Sequence, residues 1–297
     1  MAVRLRLETY KVGCMYKIID GKLISKIILD ECKNKVNVLN VTGKNRILAD
    51  IIIGEDPASQ VYINSKMKKF HDIGMKLKKF ALPIDSTEED LIFLIDKLND
   101  DIDINGIFLE MPLPKHFNSK KIIDYINPKK DVDGVTSTNA GYLISGKKCF
   151  APCTAEGIIE LIKRSNIDVT GKNCVVIGRS IVVGLPVSIM MTKLNATVTI
   201  CHSYTNDLKN ICKNADILIV ASGKMKSIDE TYVKDGAIVI DVGIHRYNEN
   251  GENKICGDVD FDKVKEHTSY ITPVPGGVGA MTTAILIKHL VDTIDYG

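Results

Sequence analysis

The sequence has little net charge of either sign. Its 297 residues include 39 Lys and Arg and 37 Asp and Glu, which leaves a formal net charge of +2. Such a balanced chain creates no global electrostatic field that would recruit nucleic acid or an anionic membrane surface. We therefore expect neither nucleic acid nor a membrane as a partner. The apolar fraction of 45% and the charged fraction of 26% are typical of a globular protein.

Long apolar runs and paired cysteines are also lacking. No run approaches the roughly 18 residues that a membrane-spanning helix needs, and the first residues contain no apolar core of signal-peptide length. The eight cysteines are scattered, with no CxxC pair and no Cys and His at zinc-binding spacing. These absences predict a cytoplasmic protein with reduced thiols and no metal. In it, Cys174, Cys201 and Cys212 are predicted to be small core residues.

The sequence does contain short apolar runs that alternate with amphipathic segments. Predicted strands cover residues 45–54, 74–83, 104–114, 172–178, 196–203, 215–223 and 236–244. Helices are predicted at residues 59–73, 87–99, 155–165, 185–194, 205–214 and 280–294. Nearly all-apolar strands separated by helices indicate parallel sheets covered on both faces. We predict an α/β protein of two α/β lobes, the second a Rossmann-like doubly wound parallel sheet, with a cleft between them.

The segment NCVVIGRSIVVGLP resembles a dinucleotide loop but departs from the usual G-x-G-x-x-G pattern. Ser180 stands where the middle glycine is expected, and Gly184 follows Gly178 by six residues. A strand that ends on glycine and leads into a helix suits a bound phosphate. The same pattern also occurs where an ordinary strand runs into a helix, so the loop alone leaves both interpretations open.

The next predicted strand adds information about the nucleotide. It ends in His202, Ser203 and Tyr204, without the Asp or Glu that usually holds the ribose hydroxyls of NAD. Arg179 lies in the preceding loop, where a guanidinium suits a 2′-phosphate. The missing acid and the nearby arginine favour NADP. His202 is equally consistent with a residue that caps or packs a turn.

A second set of candidate residues lies in the first lobe. In SQVYINSK, Tyr62 and Lys66 are four residues apart and share one helix face. A buried lysine beside a phenol can move protons, although such a pair is also common in surface packing. Glu110 lies at the end of a predicted strand, beside two prolines, and Asp131 and Asp133 lie in the loop PKKDVDG. Because the strand-end loops of such a lobe converge on one edge, these side chains are expected to meet there.

Together these motifs resemble the methylenetetrahydrofolate dehydrogenase/methenyltetrahydrofolate cyclohydrolase family over nearly the whole chain. The matching motifs, in order, are SQVYINSK, GIFLEMPLP, NPKKDVDG, APCTAEG, VVIGRSIVVGLP, ATVTICHSYT, GAIVIDVGI, GDVDF and TPVPGGVGAMT. The resemblance implies an NADP-linked enzyme of one-carbon metabolism and purine biosynthesis, with a tetrahydrofolate substrate, a folate cleft between the lobes and a homodimeric assembly. It also implies a folate-binding catalytic domain at residues 1–150, with residues 273–297 returning to it, and an NADP-binding domain at residues 151–272.

The resemblance also implies roles for individual residues. Lys66 matches the catalytic lysine of the family, Tyr62 its aromatic partner, and Asp133 the carboxylate that holds the pterin ring. The matches to cofactor contacts are Gly178, Arg179, Ser180, Ser203 and Ile244. The turn expected beside the folate contains Pro275, Gly276 and Gly277.

Three positions depart from the family pattern. Ala155 and Ala280 stand where the family usually has proline, which is expected only to loosen turns. Glu110 stands where the family commonly has glutamine, and a carboxylate there favours the ammonium form of Lys66. A protonated lysine is a poor proton shuttle, so we expect the dehydrogenase step to be retained more fully than the cyclohydrolase step.

Three other functions remain open from the sequence. One is a monofunctional dehydrogenase whose cyclohydrolase activity is weak or lost because of Glu110. The others are a different NAD(P)-dependent dehydrogenase that acts on a small acid, and a non-catalytic nucleotide-binding regulator. The presence of Tyr62, Lys66 and Asp133 together argues against the regulator.

Overall fold

The computed structural model describes residues 16–54, 57–249 and 251–293, apart from the side chains of residues 57–62 and 65. In this part of the chain, no helix is long and apolar enough to cross a membrane. The strands are β1 Lys17–Ile18, β2 Ile47–Ile53, β3 Lys76–Leu82, β4 Gly106–Leu109, β5 Asn173–Ile177, β6 Thr197–Cys201, β7 Ile217–Val220, β8 Ala237–Asp241, β9 His245–Glu249, β10 Glu252–Cys256 and β11 Thr268–Ile271.

Six of the helices in the described part of the chain coincide with predicted segments, and four were not predicted. The helices are α1 Gly21–Val41, α2 Pro57–Asp72, α3 Glu88–Asp100, α4 Ser119–Ile123, α5 Ser137–Ser145, α6 Cys153–Arg164, α7 Gly184–Lys193, α8 Leu208–Lys213, α9 Phe261–Val264 and α10 Thr282–Asp292. The chain folds into two compact units. The three-stranded unit comprises Lys26–Cys153 and residues 283–293, and the six-stranded unit comprises residues 16–25 and Thr154–Thr282.

The six-stranded unit is built on one parallel sheet with the strand order β1-β11-β8-β7-β5-β6. Its strands β7 and β8 are buried along their whole length, which explains why their sequences are continuous apolar runs without polar alternation. Cys174, Cys201 and Cys212 are buried in this unit, as predicted. The α/β class and the parallel, Rossmann-like second sheet predicted from the sequence are confirmed.

The three-stranded unit contains a smaller parallel sheet with the order β3-β2-β4. One face of this sheet packs on α3 through Ala49, Ile51, Leu91 and Ile95, which form a buried apolar core. Helix α3 begins at a capping box, in which Thr87 Oγ1 accepts from the Asp90 backbone N–H at 3.1 Å and the Asp90 carboxylate accepts from the Thr87 N–H at 2.9 Å. The opposite face of the central strand carries the buried Asp50 between Leu48 and Ile52.

The limits of the two units differ from the expected division at residue 150. Residues 17–18 form β1, which pairs in parallel with β11, so this segment belongs to the six-stranded unit. The Lys22 backbone N–H also donates to Gly276 O at 3.1 Å, which ties the start of α1 to the turn after β11. That turn was expected to return to the folate domain, and only the residues from Thr283 onward group with the three-stranded unit.

Candidate active site

The register of β2 and β4 places three side chains on the face of the small sheet that lies opposite α3. Asp50 pairs with Phe108 across the two strands, and Glu110 follows Phe108 by two residues. Side chains alternate between the faces of a strand, so Asp50, Phe108 and Glu110 point to the same side. The alternate residues Ala49 and Ile51 face the apolar core with α3.

Helix α2 supplies Lys66 to this face. The Lys66 side chain is buried, and its residue is only 1% exposed. Lys66 Nζ donates to Glu110 Oε1 at 2.6 Å and to Asp50 Oδ1 at 2.8 Å. It also lies 4.2 Å from the centre of the Phe108 ring, where the negative face of the ring attracts an ammonium. The structure thus brings together the predicted pair of Lys66 and Glu110.

Asp50 was not predicted to belong to the site. It is fully buried, and its Oδ2 atom has no hydrogen-bond partner among the described residues. Burial raises the pKa of Asp50 to about 6, against the opposing effect of the Lys66 ammonium, and the Glu110 carboxylate raises it further. One signal for Asp50 was present in the sequence, namely a lone acid within an otherwise apolar strand, ILADIII.

Tyr62, the predicted partner of Lys66, lies one turn earlier in α2. Its side chain falls outside the described residues, so its proposed role rests on its helical spacing from Lys66.

The two acids of the loop KKDVDG have different surroundings. Asp131 is buried, and its carboxylate accepts from the backbone N–H groups of Gly134, Val135 and Thr136 at 2.8–3.1 Å. It also accepts from Asn139 Nδ2 at 2.8 Å, so both of its oxygens are engaged in holding the loop. Asp131 is therefore structural, which leaves its neighbour in the loop as the acid available to a ligand.

Asp133 is half-buried and lies close enough to Lys66 to sense its charge. Burial and the neighbouring Asp131 carboxylate raise the pKa of Asp133 to about 6. The backbone beside it is fixed by two buried residues that sequence reasoning missed. His289 Nδ1 lies 2.8 Å from Val132 O, and because a carbonyl can only accept, this nitrogen carries the proton. The Cys153 thiol donates to the same carbonyl oxygen at 3.4 Å.

In the six-stranded unit, the loop between β5 and α7 depends on two glycines. Gly178 has φ +124°, and a Cβ there would lie 2.3 Å from Ala221 O. A Cβ at Gly184 would lie 2.1 Å from Gly178 O. The six-residue spacing thus lets the first residue of α7 pack directly on the end of β5. The loop differs from the usual fingerprint because the second glycine that permits close backbone contact is Gly184.

Three predicted cofactor residues lie exposed at the carboxyl ends of β5 and β6. They are Arg179, Ser180 and Ser203. Ser180 Oγ accepts from the Val183 N–H at 3.2 Å at the start of α7, which leaves its own O–H to donate to a ligand. His202 Nδ1 accepts from the Tyr204 N–H at 3.2 Å, so this residue caps a turn, one of the two interpretations of its sequence.

The remaining predicted contacts also belong to the six-stranded unit. Ile244 follows β8 and is 59% exposed, and a Cβ at Gly279 would lie 2.7 Å from its Cδ1 atom. Pro275, Gly276 and Gly277 follow β11, so they too lie beyond the carboxyl end of a parallel strand. Ligands of open parallel sheets bind at such ends, which makes this edge the candidate nucleotide site.

A doubly wound sheet with a glycine-dependent loop and exposed Arg and Ser at its carboxyl edge defines a dinucleotide-binding protein. The three-stranded unit has a different kind of site, in which a buried lysine between two carboxylates is suited to proton transfer. Two family models match the chain. Residues 19–133 match the catalytic domain of tetrahydrofolate dehydrogenase/cyclohydrolase, and residues 152–296 match its NAD(P)-binding domain. The chain belongs to the tetrahydrofolate dehydrogenase/cyclohydrolase family.

Similar proteins support this assignment. The bifunctional protein FolD of Agathobacter rectalis is 55% identical over 280 residues, which cover 94% of this chain and 99% of that relative. A crystal structure of the bifunctional FolD from Campylobacter jejuni has a TM-score of 0.91 at 42% identity, covering 95% of this chain and 99% of that one. The Trypanosoma brucei FolD, complexed with NADP and an inhibitor, has a TM-score of 0.89 at 32% identity and covers 95% and 98%.

Proposed function

We propose that this protein oxidises 5,10-methylenetetrahydrofolate to 5,10-methenyltetrahydrofolate with NADP, and then hydrolyses the product to 10-formyltetrahydrofolate. The observation that carries the proposal is the buried Lys66, held 2.6 Å from Glu110 and electrostatically coupled to Asp133, in a chain of this family. The oxidation removes a hydride from the methylene carbon and leaves a cation. Addition of water, loss of a proton and opening of the five-membered ring then give the formyl product.

The residues at the edge of the six-stranded sheet fit NADP. Arg179 and Ser180 are exposed beside the start of α7, where a guanidinium and a hydroxyl can both contact a phosphate. Residues 202–206 contain no acid that would repel a 2′-phosphate. Bound NADP would supply the hydride acceptor. We assign its binding to Gly178, Arg179, Ser180, Ser203 and Ile244.

We assign folate binding to Asp133, Tyr62, Lys66, Pro275, Gly276 and Gly277. The partly exposed Asp133 carboxylate would accept hydrogen bonds from the pterin ring. Lys66 would move protons during hydrolysis, with Tyr62 orienting the reacting groups and Glu110 setting the charge of the lysine. These roles require Lys66, Glu110 and Asp133 to keep the positions that the fold gives them.

An absorbance assay tests the proposal directly. Purified protein is mixed with methylenetetrahydrofolate and either NADP or NAD, and the formation of the reduced cofactor is compared with that of the methenyl compound. Folate-dependent reduction of NADP supports the proposal. Reduction that proceeds with a small hydroxy acid and not with the folate would favour a different dehydrogenase. Tight NADP binding without any turnover would favour a regulator.

One observation favours a second candidate function, a dehydrogenase with weak cyclohydrolase activity. Glu110 Oε1 lies 2.6 Å from Lys66 Nζ, so the pair has the geometry of an ion pair. A lysine held in this way is a poor acceptor for a proton from attacking water. The assay distinguishes the two candidates, because the methenyl compound accumulates when hydrolysis is slower than oxidation.

We also propose that the protein is a cytoplasmic homodimer. The proposal rests on the membership of the chain in this family. Sedimentation equilibrium of the purified protein tests the assembly, and a mass of one chain at micromolar concentration would contradict it.

A further inference from the structure

We propose that Asp50 is a positioning residue that, together with Glu110, holds Lys66 as an ammonium and so limits the hydrolytic step. The inference rests on the proposed function for its effect on activity. It extends that function to a residue on the central strand of the small sheet, which belongs to none of the motifs that define the site in sequence.

The geometry of the three groups carries the inference. Asp50 Oδ1 and Glu110 Oε1 lie 2.8 Å and 2.6 Å from Lys66 Nζ, both within the range of charge-assisted hydrogen bonds. The side chains of Lys66 and Asp50 are fully buried, and that of Glu110 is 18% exposed. An uncompensated carboxylate is very costly in such a setting. A neutral amine would leave both carboxylates without a cation, so the cluster favours the charged lysine.

The count of charges strengthens this preference. With Lys66 charged and Asp50 and Glu110 ionised, these three groups have a net charge of −1, and the nearby Asp133 carboxylate adds to the negative charge around Lys66. Charged groups on the Asp50 side of the sheet include Lys66, from α2, Glu110, which follows β4, and Lys79, which pairs with Asp50 across β2 and β3. Burial raises the pKa of Asp50 to about 6, so at neutral pH this carboxylate is mostly ionised and adds to the effect of Glu110. Two carboxylates hold a proton on the amine more firmly than one.

The Asp50→Asn variant tests the inference through the pH profile of hydrolysis. The methenyl compound is supplied directly, and its hydrolysis is followed across the pH range in the wild type and the variant. We expect the rising limb of the profile to move to lower pH, because the variant removes one of the carboxylates that hold the proton on the amine. The ratio of hydrolysis to oxidation at neutral pH rises accordingly.

Two variants serve as controls. Asp96→Asn makes the same change at an exposed residue of α3 and should reproduce the wild-type profile. Asp50→Glu retains the carboxylate and should keep the rising limb near its wild-type position. A folded Asp50→Asn protein with an unshifted profile overturns the inference, as does an equal loss of oxidation and hydrolysis.

A measurement on the wild-type protein covers the case in which Asp50→Asn does not fold. The ¹⁵Nζ chemical shift distinguishes an ammonium from an amine, and the Lys66 signal is assigned with Lys66→Met. We expect an ammonium at neutral pH, and an amine at that pH would overturn the inference. This result does not depend on turnover. If the protein does not oxidise the folate, the proposed function fails, but the ¹⁵Nζ chemical shift still shows whether Lys66 is charged.

Discussion

At the scale of single residues, the main feature of the molecule is a lysine buried between two carboxylates. Burying an ion removes it from water, and the cost is offset only where partners of opposite charge lie within hydrogen-bond distance. Lys66 has two such partners, Asp50 and Glu110. The arrangement stabilises the charge on the lysine. A proton shuttle must give up that charge in each turnover, so this stabilisation opposes hydrolysis.

Replacing Glu110 by glutamine should therefore accelerate hydrolysis relative to oxidation. The amide removes one of the two negative charges that hold the ammonium, while oxidation depends mainly on the alignment of the methylene carbon with the cofactor. In the wild type we expect the methenyl compound to accumulate in the coupled reaction, and in Glu110→Gln we expect it to accumulate less. Both steps are measured in both proteins by absorbance. Fast hydrolysis in the wild type that glutamine does not increase would show that the charge of Glu110 is unimportant.

The binding of the folate should weaken in acid because of Asp133. Its pKa is raised to about 6, so the carboxylate that we propose accepts from the pterin is present above this pH and is lost as the pH falls through it. One unit below the pKa, about a tenth of the groups remain ionised, so the KM for the methylene substrate should be roughly tenfold higher at pH 5 than at pH 7.

The matching variant is Asp133→Asn, which cannot ionise. Its KM should be high at every pH and should show no inflection near pH 6. The KM for NADP in the same buffers is the control. A wild-type profile for the folate that is flat between pH 5 and pH 7 would argue against Asp133 as the anchor.

The sequence predicted only part of this site. Lys66, Glu110 and Asp133 were predicted because each stands in a recognisable motif, and the structure brings Lys66 and Glu110 into contact. Asp50 was missed because strand alternation shows which residues share a face but does not reveal which helix covers that face. The separate roles of Asp131 and Asp133 depend on backbone N–H groups that converge on one carboxylate, and these are set by the conformation of the loop.

At the scale of elements, the connection between β5 and α7 is limited by backbone packing. Gly178→Ala places a Cβ 2.3 Å from Ala221 O at a φ of +124°. We expect this variant to lose at least about 2 kcal/mol of stability, since both strain and a backbone clash oppose it. Gly171→Ala, in the same unit, has φ +71° and nothing within 4 Å of the added Cβ, so it should lose only about 1 kcal/mol. Thermal unfolding of both variants compares the two, and equal losses would exclude a role for the clash.

The same connection should set the choice of cofactor. A charge-assisted contact between Arg179 and a 2′-phosphate contributes roughly 1.5–3 kcal/mol, which corresponds to about a ten- to hundredfold preference for NADP over NAD. The ratio of kcat/KM values for the two cofactors measures this preference, and Arg179→Ala should remove most of it. The kcat/KM for NAD is the control, because NAD lacks the phosphate. A wild-type protein that uses both cofactors equally would contradict the prediction.

At the scale of the whole molecule, the chain divides into two units whose limits are hard to read from sequence. The alternation of strands and helices predicted both sheets. The limits depend instead on the parallel pairing of β1 with β11, which joins residues more than 250 positions apart. Two residues in a short strand carry too weak a pattern to predict such pairing. The turn at Pro275 follows β11 directly and so belongs to the six-stranded unit as well.

Because Lys66 and the loop after β5 belong to different units, hydrolysis and cofactor binding should be separable by mutation. Lys66→Met keeps a long side chain but removes the charge, so it abolishes the proton transfer that hydrolysis requires. The same change leaves two buried carboxylates, Asp50 and Glu110, without their cation, and we expect it to lower the stability of the three-stranded unit. Lys66→Met with Asp50→Asn and Glu110→Gln removes these charges and should restore stability without restoring hydrolysis. Calorimetric titration with NADP should give the wild-type affinity for the triple variant. A large loss of affinity would place Lys66 in the cofactor site and would contradict the separate roles of the two units.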